Sequence, residues 1–137
     1  MAARILVVDD DPPIVRLLRV NLEMEGYEVA VASNGKEALE AVKAHPPDLV
    51  LLDVILPGMD GLEVVTRLRR DPATARLPVV LLSARAQDAD IRHGKGAGAD
   101  EYVTKPFDPR DLLATVEGVL RASRRRAARR AAGKTAT

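Results

Sequence analysis

Short apolar runs alternate with segments of helical period along this chain, and the alternation predicts a βαβ architecture. Arg4-Ile5-Leu6-Val7-Val8 reads as a first strand and breaks into Asp9-Asp10-Asp11. Helix one opens at Asp11-Pro12-Pro13, where prolines suit the first turn, presents Ile14, Leu17, Leu18 and Leu22 inward, and stops at Gly26. Residues 27–32 alternate as a second strand. Gly35 to His45 forms a second helix with Ala38, Leu39 and Val42 inward, and Pro46-Pro47 forbids its continuation. Leu49-Val50-Leu51-Leu52 is a third strand ending at Asp53. Turn chemistry at residues 57–61 then leads through an Asp60 cap into a helix carrying Leu62, Val65 and Leu68. A loop from Asp71 to Leu77 precedes Pro78 and a fourth strand, Val79-Val80-Leu81-Leu82, which ends at Ser83. A fifth strand around Glu101-Tyr102-Val103 ends at Thr104-Lys105-Pro106, and no internal repeat is present.

The weakest helix lies between Gln87 and Asp100. It holds glycines at 94, 96 and 98, offers only Ile91 as a clear apolar contact, and carries Lys95 after the first glycine. An interior glycine costs a helix about 1 kcal/mol relative to alanine. This helix is therefore expected to be short or mobile.

In an open parallel α/β sheet the carboxyl ends of the strands share one rim, where ligands bind at the switch point of strand order. That rim would gather Asp9, Asp10, Asp53, Ser83 and Lys105. Packed carboxylates repel one another, so the site favours a hard divalent cation with oxygen ligands, and Mg2+ with phosphate partners fits. Asp11 reads instead as the helix cap, since acids are favourable near a helix N-terminus.

The motifs Ile5 to Asp11, Leu51 to Gly61, Leu82-Ser83-Ala84 and Gly98 to Phe107 together resemble the receiver domain of two-component response regulators, chemotaxis-regulator-like, over residues 3–121. Each motif alone is common; four in register are specific. The resemblance implies a flavodoxin-like doubly wound fold, a five-stranded parallel sheet in the order 2-1-3-4-5. It implies that Asp53 is the phosphoacceptor, and that Mg2+ is held by Asp10, Asp53 and the backbone carbonyl of Ile55, with Asp9 holding metal-bound water or ligating more loosely. It also implies a cis bond before Pro106 that directs Lys105 to the site, a switch hydroxyl at Ser83, and a rotamer switch at Tyr102 coupled to it. Ile55 and Arg85 would flank the path of an attacking water. Ile55 has no group to orient that water, so slow self-dephosphorylation is expected. His45 and His93 lack partners at ligand spacing and read as surface histidines.

Composition narrows the class. With 137 residues, 47% apolar and 30% charged, the chain is one globular domain in size, and the absence of cysteine excludes disulfides and thiolate metal sites. Met1-Ala2-Ala3-Arg4 runs directly into a strand without a signal-peptide core, and no run is long enough to span a membrane, so a cytoplasmic protein is expected. The net charge of +1 hides an asymmetry: residues 121–137 hold seven basic residues and no acid, leaving 14 basic and 20 acidic residues, net −6, in the body. That is not the footprint of a nucleic-acid-binding domain, and any polyanion affinity would reside in the tail. The tail, residues 122–137, reads as a helix-forming extension of helix five as far as Ala132, with Gly133 as a stop. It lacks the apolar face of a membrane-surface helix. A solvated extension is the leading reading, ahead of docking on an acidic partner or non-specific nucleic-acid contact.

These expectations describe a signalling module rather than an enzyme with a turnover substrate. Its partners would be a sensor histidine kinase or histidine phosphotransfer protein, and a downstream protein bound at the surface of helix four, strand five and helix five. It would act as a monomer or a phosphorylation-dependent homodimer. No output domain follows residue 121, so a stand-alone regulator fits best. The alternative is the receiver part of a DNA-binding regulator whose effector domain is absent. There, Thr115 and Glu117 stand where arginines are usual in the winged-helix subfamily.

Overall fold

The computed structural model describes residues 2–135. Five strands alternate with five helices: β1 (Arg4–Val8), α1 (Pro12–Met24), β2 (Glu28–Ala32), α2 (Gly35–Ala44), β3 (Leu49–Asp53), α3 (Gly61–Arg70), β4 (Val79–Ser83), α4 (Asp88–Ala97), β5 (Glu101–Thr104) and α5 (Pro109–Thr135). The strands form one sheet in the order β2-β1-β3-β4-β5. All pairings are parallel.

The three central strands are covered on both faces, which is why they read as unbroken apolar runs rather than as an alternation. Alternate residues of each strand feed opposite cores. Ile5, Val7, Leu49, Leu51, Val80 and Leu82 pack under Leu18 and Leu22 of α1 and Leu112, Val116 and Leu120 of α5. Leu6, Val8, Val50, Leu52, Val79 and Leu81 pack under Ala38 and Val42 of α2 and Val64, Val65 and Leu68 of α3. Because these leucines are almost completely buried, truncating one to alanine is worth about 2–5 kcal/mol.

Three features depart from the sequence-based expectation. Leu17 is 41% exposed, because α1 buries the stripe Ile14, Leu18, Leu22 at four-residue spacing and Leu17 lies a quarter turn away from it. The helix α4 is not short: it spans ten residues. Its start is closed by Asp90 Oδ2, which accepts the Gln87 N–H at 3.2 Å, and its end by left-handed Gly98. Gly94, read as a defect, is a packing requirement, since a Cβ there would lie 2.7 Å from Tyr102 Cδ2 and 2.9 Å from Leu81 Cδ1. Finally, α5 does not stop at Gly133 but continues to Thr135. One interior glycine followed by helix-permissive residues disfavours a helix by only about 1 kcal/mol, too little to end it.

At the amino-terminal rim of the sheet, Arg69 of α3 ties three segments together. Its guanidinium donates to Gly98 O at 2.9 Å, Leu77 O at 2.6 Å and Asp100 Oδ2 at 3.1 Å. Asp100 Oδ2 also accepts the Val79 N–H at 2.8 Å, fixing the first residue of β4. Burial pulls the Arg69 guanidinium below its ordinary range, and the charge of Asp100 opposes that pull.

Candidate phosphoacceptor site

The carboxyl-terminal rim gathers acids that the chain separates by more than forty residues. Asp9 follows β1, Asp53 is the last residue of β3 and Lys105 follows β5. Lys105 Nζ donates to Asp9 Oδ2 at 2.8 Å and to Asp53 Oδ2 at 3.0 Å, bridging the two carboxylates. The second oxygen of each acid is held by its own chain: Asp9 Oδ1 accepts the Asp11 N–H and Asp53 Oδ1 the Ile55 N–H, both at 3.0 Å. Asp9 and Asp53 are buried, whereas Asp10 is exposed at the mouth. These three acids offer oxygens within 4.8 Å of one another, on a cleft of about 390 Å³ that Ile55, Ala84 and Lys105 also line.

Asp11 was expected to cap α1. It occupies the cap position, but its side chain makes no capping hydrogen bond. The turn is held by Asp9 instead, so one carboxylate both shapes the loop and faces the lysine. Asp60 does cap α3, accepting the Glu63 N–H at 2.9 Å. The Lys105-Pro106 bond is cis, as the resemblance implies.

Burial raises the Asp53 carboxyl above its ordinary value, against the Lys105 and Ile55 hydrogen bonds and with the Asp9 charge adding to the rise. Burial alone would lower Lys105, but hydrogen bonds to Asp9 and Asp53, and their charges, bring it above the usual lysine range. The ammonium is therefore charged at neutral pH. It bridges two carboxylates with Asp10 close to both, so one positive charge stands against three acids and leaves an oxygen-lined site suited to a hard cation.

Ser83 is fully buried at the end of β4, and its Oγ accepts the Arg85 N–H at 3.1 Å. Tyr102 is half-buried, and its hydroxyl donates to Arg85 O at 2.7 Å. The two residues are thus joined through one peptide segment, a link that side-chain identity does not announce. Its only signal in the sequence is the position of Arg85 two residues after Ser83. Gly61, legible in the sequence only as turn chemistry, has a packing role as well. A Cβ there would fall on the Asp53 carbonyl oxygen, and the Gly61 N–H donates to Val54 O at 2.8 Å, so α3 closes directly onto the loop that follows Asp53. His45 and His93 lie exposed, away from the cleft.

Residues 5–117 match the family model of the response regulator receiver domain. The chain belongs to that family. Among relatives of this receiver, the phosphate regulon transcriptional regulatory protein PhoB of Pseudomonas aeruginosa is 44% identical over 117 residues, covering 85% of this chain and 51% of that protein. The DNA-binding response regulator MtrA of Mycolicibacterium smegmatis is 47% identical over 121 residues, covering 88% of this chain and 52% of that one. The receiver thus spans about half the length of these curated relatives. Among solved structures, a CheY-like receiver domain protein of Methanospirillum hungatei superposes with a TM-score of 0.85 at 32% identity, covering 92% of this chain and 99% of that one. The chemotaxis response regulator CheY4 of Vibrio cholerae gives 0.82 at 33% identity, with 87% and 99% covered. The strand order and helix placement of this receiver are those of the CheY-like, flavodoxin-like fold. No helix among the described residues is long and apolar enough to cross a membrane.

Proposed function

We propose that the protein is a cytoplasmic phosphoacceptor in a His-Asp signalling relay, with Asp53 as the acceptor. The observation that carries this reading is the bridge from Lys105 Nζ to Asp9 Oδ2 and Asp53 Oδ2 inside an acid-lined cleft. A carboxylate oxygen of Asp53 attacks the phosphorus of a phosphohistidine on a sensor kinase or phosphotransfer protein. A P–O bond forms, the P–N bond breaks, and the imidazole leaves with its electron pair. Lys105 counters the charge on the transferring oxygens, and the Ile55 N–H holds the second Asp53 oxygen in place.

The donor set fits a hard divalent ion: Asp9, Asp10 and Asp53, together with the Ile55 carbonyl, would hold Mg2+. Bound there, the ion supplies further neutralisation of the phosphoryl oxygens. Ser83, with Tyr102 and Arg85 behind it, supports a switch in which the Ser83 hydroxyl exchanges its Arg85 partner for a phosphoryl oxygen, so that the segment holding the Tyr102 hydroxyl shifts. The downstream protein would meet α4, β5 and α5. Ile55 presents a 49% exposed apolar side chain at the cleft mouth, which supports slow self-dephosphorylation.

The test is acetyl phosphate with Mg2+ on the purified chain, read by intact mass: one phosphoryl adduct, lost in Asp53→Asn and on chelation. An adduct of normal yield in Asp53→Asn would place the acceptor elsewhere. A second reading, the receiver part of a DNA-binding transcriptional regulator, is favoured by the half-length coverage of PhoB and MtrA. Sequencing the gene beyond codon 137 decides between them.

A further inference from the structure

The helix α5 is 27 residues long, although the family match ends at residue 117. From Arg121 onward it forms an arm whose described part is roughly 20 Å long at 1.5 Å per residue. Residues 121–137 hold six arginines, one lysine and no acid, on a body of net −6. Two of the arginines are paired with carboxylates: Arg121 with Glu117 at 2.9 Å and Arg126 with Asp100 at 3.7 Å. Arg124, Arg125 and Arg129 are exposed and make no ion pair among the described residues. Arg121, Arg125 and Arg129, spaced by four, form a row along one side of the arm.

What surrounds these charges selects the partner. After Leu120 no side chain apolar and larger than alanine occurs. A protein interface draws its energy from aromatic and aliphatic side chains buried at its centre, and the arm has none. A membrane-surface helix needs an apolar face, also missing. Single-stranded nucleic acids are held by stacking on aromatic rings, and the only aromatic residues of this chain are Tyr27, Tyr102 and Phe107. Phosphates need only charge and donors, and arginine presents a planar fork that meets a phosphate bidentately. A helix about 10–12 Å across matches the width of the B-DNA major groove, whereas the major groove of duplex RNA is deep and narrow.

We infer that the arm is a duplex-DNA contact, sequence-independent and carried by Arg124, Arg125 and Arg129 on phosphates. The acidic body repels the polyanion and confines the contact to the arm. The surface is separate from the Asp53 cleft, so its test does not depend on acetyl-phosphate chemistry.

The experiment is fluorescence anisotropy of the full chain with a labelled mixed-sequence DNA duplex of about 20 base pairs, titrated between about 50 and 200 mM salt. Each neutralised phosphate contributes about −0.9 to the log–log slope, so the wild type should show a slope of about −3 or steeper. Arg124→Gln/Arg125→Gln/Arg129→Gln should flatten that slope by about 3 and weaken binding roughly 100-fold or more at low salt. Glutamine is close to arginine as a helix former, so circular dichroism should be unchanged. The triple arginine-to-lysine variant should keep the slope. Single-stranded DNA, duplex RNA and polyglutamate of equal charge should compete at least 10-fold less well than duplex DNA. The inference is overturned if the wild type shows no salt-dependent binding, if the glutamine variant binds like the wild type, or if any of these competitors matches duplex DNA.

Discussion

The two rims of the sheet hold buried charge in opposite ways. At the amino-terminal rim Arg69 meets one carboxylate and two backbone carbonyls at close range, and Asp100 also accepts a backbone N–H and pairs with Arg126 at 3.7 Å, so the one carboxylate is fully countered. At the carboxyl-terminal rim one lysine bridges Asp9 and Asp53 while Asp10 stands beside them at an open cleft, and the three acids against one cation leave excess negative charge. Both networks are hydrogen-bonded, and among the described residues no buried side-chain nitrogen or oxygen lacks a partner. Hydrogen-bond satisfaction therefore does not separate the two clusters; the sign of their uncompensated charge does. A cluster whose one carboxylate meets two guanidinium groups has no affinity left for a cation, whereas one with surplus carboxylates retains affinity for a cation or a group that brings one.

The sharpest break between the rims is chemical. Asp53→Asn should abolish acetyl-phosphate labelling while Arg69→Met leaves its yield unchanged, both read by intact mass. Loss in both variants would mean that the rims are coupled and the contrast is wrong.

Next in size is stability. Arg69→Met removes three close acceptor contacts and leaves Asp100 with the Val79 N–H and the longer pairing to Arg126, its 26% exposed side chain recovering some hydration. The loss should be about 3 kcal/mol in urea unfolding. A loss below about 0.5 kcal/mol, the range of ordinary surface substitutions, would reduce the cluster to surface chemistry.

Gly94→Ala lies between the rims and drives a methyl into the Tyr102 ring and Leu81. It should cost about 1–3 kcal/mol by overpacking, net of the better helix propensity of alanine. A stabilised variant would restore the reading of this glycine as a helix defect.

The smallest effect tests the sign of the imbalance. Burial raises the Asp53 carboxyl in the fold, so its contribution is most favourable below the unfolded value and declines as pH rises through the raised folded value. Without metal at pH 7, Asp53→Asn should melt a few degrees above wild type, and the gap should close as pH falls toward 4. Millimolar Mg2+ should raise the wild-type melting temperature and move Asp53→Asn much less. Equal shifts in both would locate the ion elsewhere.

The strands, their order and the gathering of Asp9, Asp10, Asp53 and Lys105 on one rim were legible because each central strand is an unbroken apolar run that ends abruptly in Asp or Ser, and a parallel sheet puts those ends together. Partners that act through the backbone were not. The Arg85 peptide joining Ser83 to Tyr102, and the Asp11 N–H held by Asp9, are properties of chain path rather than of side-chain type. The length of α4 was not legible for a related reason: propensity weighs what a glycine lacks along its own helix, while Gly94 is set by what leans against it from β5 and β4.

Gly61 carries a lesson for anyone who would rebuild this site. Its missing side chain is where the Asp53 carbonyl lies, so Asp53 and a residue eight positions downstream behave as a single heritable unit. A loop library that randomises residues 54–61 would return glycine at the last position whatever it returned at the others. A graft of the acid cluster onto another scaffold that left this glycine behind would carry every carboxylate and the lysine and still lose the loop's closure.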